Sequence, residues 1–153
     1  MPAEFAFTLN GQATIVRAEP VQSLLETLRD TCGLKATRLG CGLGQCGACT
    51  VLVDGEARHA CDTSMETAAG RDITTLEGLG SRADPHPLQA AFVQEQALQC
   101  GFCTTGMLMC GAALLRRNPQ PSEDEIRQAL DGNLCRCGVH NRIVRAVQKA
   151  ARA

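Results

Sequence analysis

The chain has 153 residues, of which 44% are apolar, so it can fold as one ordinary domain or as two small ones. Only 3% of the residues are aromatic and neither Trp nor Tyr occurs, so the core must be built from aliphatic and other small side chains. The net charge of −1, scattered basic residues and the scarcity of rings for base stacking argue against a nucleic-acid partner.

The first third of the sequence predicts a hairpin followed by a short helix. Apolar residues alternate with polar or small ones over 5–9, the Asn10-Gly11 pair is typical of a two-residue turn, and 13–18 forms the return strand. A capping box that starts at Ser23 predicts the beginning of a helix, and Gly33 predicts its end.

A second hairpin follows a glycine-rich loop. The strand 50–53 is turned back by Asp54-Gly55 through the segment 57–61. Two hairpins and one helix indicate a small mixed sheet with a helix packed on it. The segment 73–87, which contains several Gly, Ser and Pro residues, is predicted to be a linker.

Helical periodicity dominates after the linker. Apolar residues recur at helical spacing in four segments, and a capping box at Ser122 and the Asn118-Pro119 stop mark boundaries between them. The four segments are 88–98, 107–115, 122–130 and 143–150. Four helices of this length predict a compact bundle, and therefore an α+β chain.

Eight of the ten cysteines fall into two sets. The first set is Cys41, Cys46, Cys49 and Cys61. Its C-x4-C-x2-C run with a distant fourth cysteine is the plant-type ferredoxin spacing for a [2Fe–2S] cluster. Glycines beside and between these cysteines allow a tight loop whose N–H groups reach the sulfurs. Zinc and disulfides are the alternatives, but neither requires this glycine pattern.

The second set is Cys100, Cys103, Cys135 and Cys137. It combines a C-x2-C at the start of one predicted helix with a C-x-C between two later helices. Helix boundaries suit anionic ligands, because free N–H groups and the positive end of the helix dipole favour thiolates. The spacing alone fits a four-cysteine zinc site as well as an iron–sulfur cluster, so it leaves both open.

The remaining cysteines and the histidines are predicted not to bind metal. Cys32 and Cys110 lie on predicted helices, where a free cysteine packs as a small hydrophobic residue. The histidines, His59, His86 and His140, are isolated and show no ligand spacing.

Three segments of the chain resemble the cluster motifs of the xanthine oxidase-like molybdenum hydroxylases. The segment 39–51 (LGCGLGQCGACTV) resembles the family's first cluster loop, and 99–107 (QCGFCTTGM) with 132–137 (GNLCRC) resembles its second cluster site. The resemblance covers essentially the whole chain. It implies a ferredoxin-like β-grasp domain over 1–77, followed by a helical, four-helix-bundle domain over 82–153.

The same resemblance implies two [2Fe–2S] clusters and an electron-transfer role with no catalytic centre on this chain. The first cysteine set would hold the cluster farther from molybdenum, and the second set the nearer one. Cys137 and Gln99 match family residues that contact a molybdopterin cofactor on a large partner subunit, which we expect in its cytosine dinucleotide form. The implied substrate is an N-heteroaromatic compound or an aldehyde, and the implied electron acceptor is a flavin subunit or a cytochrome.

The sequence departs from the common family pattern in two places. Thr105 stands where most members have Pro, which restores an N–H group and predicts a looser turn after Cys103. Gly138-Val139-His140 replaces a frequent Thr-Gly-Tyr. The second departure is similar to the small subunits of nicotinate dehydrogenases and isoquinoline oxidoreductases.

Two rival functions belong to other classes. A free-standing ferredoxin-type electron carrier would need only the first domain, so the helical half argues against it. A binding module stabilised by zinc is the other rival.

The N-terminal residues 1–4 show no basic or apolar leader, and no apolar run approaches the ~18 residues of a membrane span. These features predict a cytoplasmic protein without a membrane span, in a compartment where clustered cysteines more often bind metal.

Overall fold

The computed structural model describes all of residues 1–153, and it begins with the predicted hairpin. Strand β1 (Ala3–Leu9) pairs antiparallel with β2 (Gln12–Ala18). Asn10 and Gly11 both have positive φ, 50° and 79°, as the tight turn between twisted strands requires. Alternate side chains of β1 are buried, so the sequence alternation correctly identified the inward face.

The first helix is shorter and less regular than predicted. Helix α1 covers only Leu24–Glu26 and continues as a π-helical stretch over Thr27–Thr31. Ser23 Oγ accepts a hydrogen bond from the Glu26 backbone N–H, so only the Ser23 half of the predicted capping box forms. Gly33, with φ of 72°, follows the end of this segment as expected.

The sheet has five strands, one more than the two hairpins predicted. Strands β3 (Thr50–Val53) and β4 (Glu56–His59) form the second hairpin. A fifth strand, β5 (Asp72–Thr74), pairs parallel with β1 and antiparallel with β3. The strand order is β2-β1-β5-β3-β4, so β5 joins the two hairpins into one mixed sheet.

The predicted linker is therefore partly wrong, because it contains regular structure. Residues 73 and 74 belong to β5, and a short helix α3 occupies Leu76–Leu79. Another short helix, α2 (Met65–Ala68), lies between the second hairpin and β5. Three or four residues carry too little periodicity to show these elements in the sequence.

Four helices form the second half, as predicted. They are α4 (Pro87–Gln94), α5 (Thr104–Arg117), α6 (Glu123–Leu130) and α7 (His140–Ala150). The prediction that α4 extends to Leu98 is wrong: Leu98 lies beyond the helix and is exposed. Thr105 is buried as the second residue of α5.

Two main hydrophobic clusters correspond to the two halves, and the whole chain is α+β. One cluster of 14 buried residues lies under the sheet and the first helix, and one of 17 lies among α4–α7. A small third cluster, formed by Leu52, Met109 and Ala113, packs β3 against α5. None of the helices combines the length and apolar character that crossing a bilayer requires.

Candidate metal centres

The first cysteine set, which we call the loop site, lies at one edge of the sheet. Cys41, Cys46 and Cys49 are in the loop that leads into β3, and Cys61 is in the 3₁₀ turn Ala60–Asp62 after β4. The hairpin of β3 and β4 brings Cys61 back beside the loop, because Thr50 is opposite His59 in the register. The fold thus brings these four residues, which are distant in sequence, close together.

The backbone of this loop directs N–H groups at the cysteine sulfurs. Three N–H groups lie within 3.3–3.4 Å of the Cys41 sulfur, those of Leu43, Gln45 and Cys46. The Gly44 N–H donates to the Cys61 sulfur at 3.2 Å. Gly42 and Gly44 have φ of 69° and 66°, a conformation that L side chains rarely adopt, and this is why the loop needs glycine there.

These hydrogen bonds and burial set the pKa values of the thiols in opposite directions. The three backbone N–H groups lower the pKa of Cys41 to about 6, because they stabilise the thiolate. Burial raises the pKa of Cys49 to about 12, and Cys49 is only 2% exposed. A cation that binds these sulfurs must therefore displace a proton from Cys49, whereas the lowered pKa of Cys41 already favours the thiolate that binds a cation.

The four cysteines of the loop site lie beside one another in two pairs. The Cys41 N–H donates to the Cys46 sulfur at 3.3 Å and the Cys46 N–H to the Cys41 sulfur at 3.4 Å, and, after burial, the neighbouring Cys61 thiol contributes to the raised pKa of Cys49. No set of three or more Cys, His, Asp and Glu side chains in the chain is arranged as the ligands of a single metal ion. The contacts in the loop site join Cys41 with Cys46 and Cys49 with Cys61.

The second cysteine set, which we call the helical site, has the same arrangement. Cys103 is the N-cap residue of α5, and Cys135 and Cys137 lie in the loop between α6 and α7. The Cys137 thiol is 3.6 Å from the Cys100 sulfur, and the Cys135 thiol is a neighbour of Cys103. Burial, together with the neighbouring thiol of Cys135, raises the pKa of Cys103 to about 12.

Gln99 lies at the exposed edge of the helical site. It directly precedes Cys100 and is exposed, while Cys137 is half-buried. Both residues, which the sequence motif singled out together, are thus at least partly accessible to solvent.

The cysteines outside both sites lie where packing predicts them. Cys32 is half-buried against the core under the sheet, and Cys110 packs beside the helical core. Burial raises the pKa of both thiols. His86 caps α4, since its Nδ1 accepts a hydrogen bond from the Leu88 N–H at 3.1 Å.

Sequence reasoning did not identify a direct contact between the two sites. The Leu134 N–H donates to the Cys46 carbonyl at 3.0 Å, and Asn133 Nδ2 donates to the Gly47 carbonyl at 3.2 Å. The only signal in the sequence is that Asn133 lies inside the second cluster motif. Nothing in that motif indicates which backbone group its amide contacts.

Comparison with known proteins agrees with these two sites. Residues 7–75 match the family described as 2Fe-2S iron-sulfur cluster binding domain. Residues 75–148 match the family described as [2Fe-2S] binding domain. The fold and the two cysteine sets thus define the chain as a member of the two-domain [2Fe–2S] proteins.

Individual relatives define the family more closely. The chain is 53% identical over 151 residues to a nicotinate dehydrogenase subunit of Pseudomonas putida, covering 99% of this chain and 96% of that protein. It is 44% identical over 147 residues to the nicotine 6-hydroxylase small subunit of Paenarthrobacter nicotinovorans, covering 96% and 88%. The crystal structure of quinoline 2-oxidoreductase from Pseudomonas putida 86 is similar with a TM-score of 0.94 at 40% identity, covering 99% and 95%.

The chain belongs to the small [2Fe–2S] iron–sulfur subunits of the xanthine oxidase-like molybdenum hydroxylase family. This confirms the resemblance that the three sequence motifs indicated.

Proposed function

We propose that this chain is the electron-transfer subunit of a molybdenum-containing hydroxylase or dehydrogenase and has no catalytic centre of its own. The observation that carries the proposal is the arrangement of eight cysteines as two sites of paired sulfurs that meet through one backbone contact. Similarity over nearly the full length to subunits of nicotinate dehydrogenase and nicotine 6-hydroxylase supports the same conclusion. Two adjacent electron carriers in one small chain suit a relay between a substrate site and an acceptor.

The eight cysteines are proposed to hold one [2Fe–2S] cluster at each site. The loop site would use Cys41, Cys46, Cys49 and Cys61, and the helical site Cys100, Cys103, Cys135 and Cys137. A zinc ion needs all four sulfurs about 2.3 Å from one point. Sulfurs that adjoin in two pairs would suit a two-iron cluster better, and the four cysteines of each set would hold it. The contacts support the pairs Cys41 with Cys46, Cys49 with Cys61, Cys100 with Cys137 and Cys103 with Cys135.

The chain's own residues prepare both sites for such a group. A bound [2Fe–2S] cluster accepts and releases single electrons, and its surroundings set its potential. The N–H groups around Cys41 stabilise negative charge on the sulfur. The buried Cys49 and Cys103 anchor the inner side of each site and keep water from it, whereas Cys41 and Cys100 are exposed. Each site therefore opens to the surface on one side.

The two sites are proposed to lie in two domains. Residues 1–77 would form a ferredoxin-like β-grasp domain, and residues 82–153 a helical domain built as a four-helix bundle. The separate hydrophobic clusters under the sheet and among α4–α7 support this division. The mixed sheet, with β5 parallel to β1 and a helix packed across it, supports the β-grasp assignment.

The helical site is proposed to face molybdenum. Gln99 and Cys137 would contact the molybdopterin cofactor, in its cytosine dinucleotide form, on a large partner subunit. The exposure of Gln99 and the partial exposure of Cys137 support this orientation. The loop site would face a flavin subunit or a cytochrome as acceptor. The complex would act on an N-heteroaromatic compound or an aldehyde in the cytoplasm, where thiols stay reduced.

A visible absorption and electron paramagnetic resonance (EPR) measurement tests the proposal. We expect the chain, purified with its co-expressed partner subunits, to be coloured and to show two distinguishable [2Fe–2S] signals after reduction. Metal analysis should find iron and sulfide in equal amounts at both sites. A colourless chain with one zinc per cysteine set would contradict the cluster assignment. A coloured chain that never co-purifies with a large subunit would instead support a free-standing carrier.

Replacement of Gln99 by Ala tests the contact with the pterin. We expect both cluster signals to persist, because Gln99 is exposed and is not a sulfur ligand. Reduction of the helical site by substrate should become slower in the assembled complex, measured by rapid-mixing absorption. Gln94→Ala is the matched control, since Gln94 is an exposed glutamine at the end of α4. Equal reduction rates in the two variants would show that Gln99 has no role in the relay.

A further inference from the structure

We propose that Asn133 is a positioning residue that fixes the helical site against the loop site and so sets the coupling between the two clusters. This proposal rests on the proposed function, because it requires a cluster at each site. The step concerned moves one electron: one cluster is oxidised and the other reduced by one electron, and no bond or proton changes place. The residues that control this step are those that hold the two sites in register.

The Gly47 carbonyl is the point at which Asn133 acts. Gly47 lies between the proposed ligands Cys46 and Cys49, and its oxygen accepts hydrogen bonds from three donors. The donors are the Thr50 N–H at 3.2 Å, Thr50 Oγ1 at 2.7 Å and Asn133 Nδ2 at 3.2 Å. The Thr50 bonds are local to the loop, so Asn133 is the donor that comes from the other half of the chain.

Asn133 is itself rigidly held on the helical side. Its side chain is only 5% exposed, and its backbone N–H donates to the Leu130 carbonyl at the end of α6 at 2.9 Å. The Cys110 thiol of α5 donates to Thr50 Oγ1 at 3.8 Å and lies beside the Asn133 side chain. A buried amide with fixed partners keeps the groups that it joins at a constant relative position, because any movement would leave a buried polar group without a hydrogen bond.

A second bond beside Asn133 joins the two sets of ligands directly. The Leu134 N–H donates to the Cys46 carbonyl at 3.0 Å, and Leu134 is bonded to Cys135. A cysteine of the loop site is thus linked to a cysteine of the helical site by one hydrogen bond and the covalent bonds of three residues. The Asn133 amide donates to the next carbonyl along the chain, that of Gly47, so the two hydrogen bonds together fix the relative position of the two sites.

The backbones approach closely because glycine occurs on both sides. A Cβ on Gly47 would lie 2.5 Å from Asn133 Nδ2 and 2.7 Å from the Gly132 carbonyl oxygen. A Cβ on Gly106 in α5 would lie 2.0 Å from the Gly47 carbonyl oxygen. Side chains are thus excluded where the loop site meets the helical site, and the Asn133 amide fills the remaining space.

Other contacts hold the two halves together without Asn133. The cluster of Leu52, Met109 and Ala113 packs β3 on α5. The Arg38 guanidinium lies 5.7 Å from the centre of the Phe102 ring. Loss of the Asn133 amide should therefore shift the two sites relative to each other rather than separate the two halves.

The test replaces Asn133 by Asp in the assembled complex. This change keeps the size of the side chain but removes the N–H donor, so that a carboxylate oxygen faces the Gly47 carbonyl. We expect both EPR signals and the iron content to persist. The magnetic interaction between the fully reduced clusters should weaken, and electron equilibration between them after rapid partial reduction should slow. Asn141→Asp, the same change on an exposed residue of α7, is the control and should leave both quantities at their original values.

Gly106→Ala provides an independent variant, because its Cβ displaces the same Gly47 carbonyl from α5. It should weaken the magnetic interaction in the same direction. An unchanged interaction and equilibration rate in Asn133→Asp, with both clusters present, would overturn the inference. Loss of one cluster in that variant would also overturn it, because Asn133 would then build one site rather than position two. Absence of two cluster signals from the unmodified chain would instead refute the proposed function.

Discussion

Replacement of Cys49 by Ser is expected to abolish the EPR signal of the loop site and to leave that of the helical site in place. Cys49 is buried beside Cys61 at the core under the sheet, so its sulfur lies on the inner side of the loop site. A serine hydroxyl is a harder and less acidic ligand than a thiol, and iron–sulfur clusters are held by thiolates. The measurement is EPR of the reduced, assembled protein, with iron content falling by half.

The control for this variant is Cys32→Ser. Cys32 is also half-buried against the core under the sheet but lies outside both sites, so the same chemical change should leave both signals unchanged. A normal loop-site signal in Cys49→Ser would remove Cys49 from the ligand set. Loss of both signals together would show that the two halves do not assemble their clusters independently.

The cysteine sets could be predicted because each depends on local sequence. The loop site follows from the spacing of Cys41, Cys46 and Cys49 and from glycines that permit φ above zero. The N–H groups that lower the pKa of Cys41 come from residues two to five positions away. The helical site was ambiguous between zinc and iron by spacing, and the family motifs were needed to decide between them.

The elements that sequence reasoning missed are those that depend on distant partners. Strand β5 has three residues and exists because it pairs with β1 and β3, which no local pattern indicates. Leu98 continues the apolar spacing of α4, but the chain leaves the helix after Gln94. Gln96 has φ of 51°, which is incompatible with a continuing helix.

Which cysteines are neighbours within each site could not be predicted from the sequence either. Spacing groups four cysteines but does not show that Cys100 pairs with Cys137 and Cys103 with Cys135. That pairing arises from the position of the loop between α6 and α7 over the start of α5. The contact between the sites has the same origin, since Asn133 and Gly47 are 86 residues apart.

Replacement of Gly47 by Ala should be strongly destabilising, because it combines an unfavourable backbone conformation with a steric clash. Gly47 has φ of 75°, and a residue with a side chain in this conformation costs roughly 1–2 kcal/mol. The added Cβ also lies 2.5 Å from Asn133 Nδ2 and 2.7 Å from a backbone oxygen, and such overpacking costs roughly 1–3 kcal/mol more. We expect a lower temperature for loss of the visible circular dichroism of both clusters and a weaker magnetic interaction between them.

Gly70→Ala separates the backbone cost from the clash. Gly70 has nearly the same φ, 72°, but a Cβ there meets nothing within 4 Å and lies away from both sites. Its cost of about 1 kcal/mol should lower the transition by roughly 2–4 °C for a chain of this size and leave the interaction between clusters unchanged. The difference between the two variants therefore measures the contact itself. If Gly47→Ala and Gly70→Ala had equal effects, the meeting of the two sites would be too loose to fix their relative position.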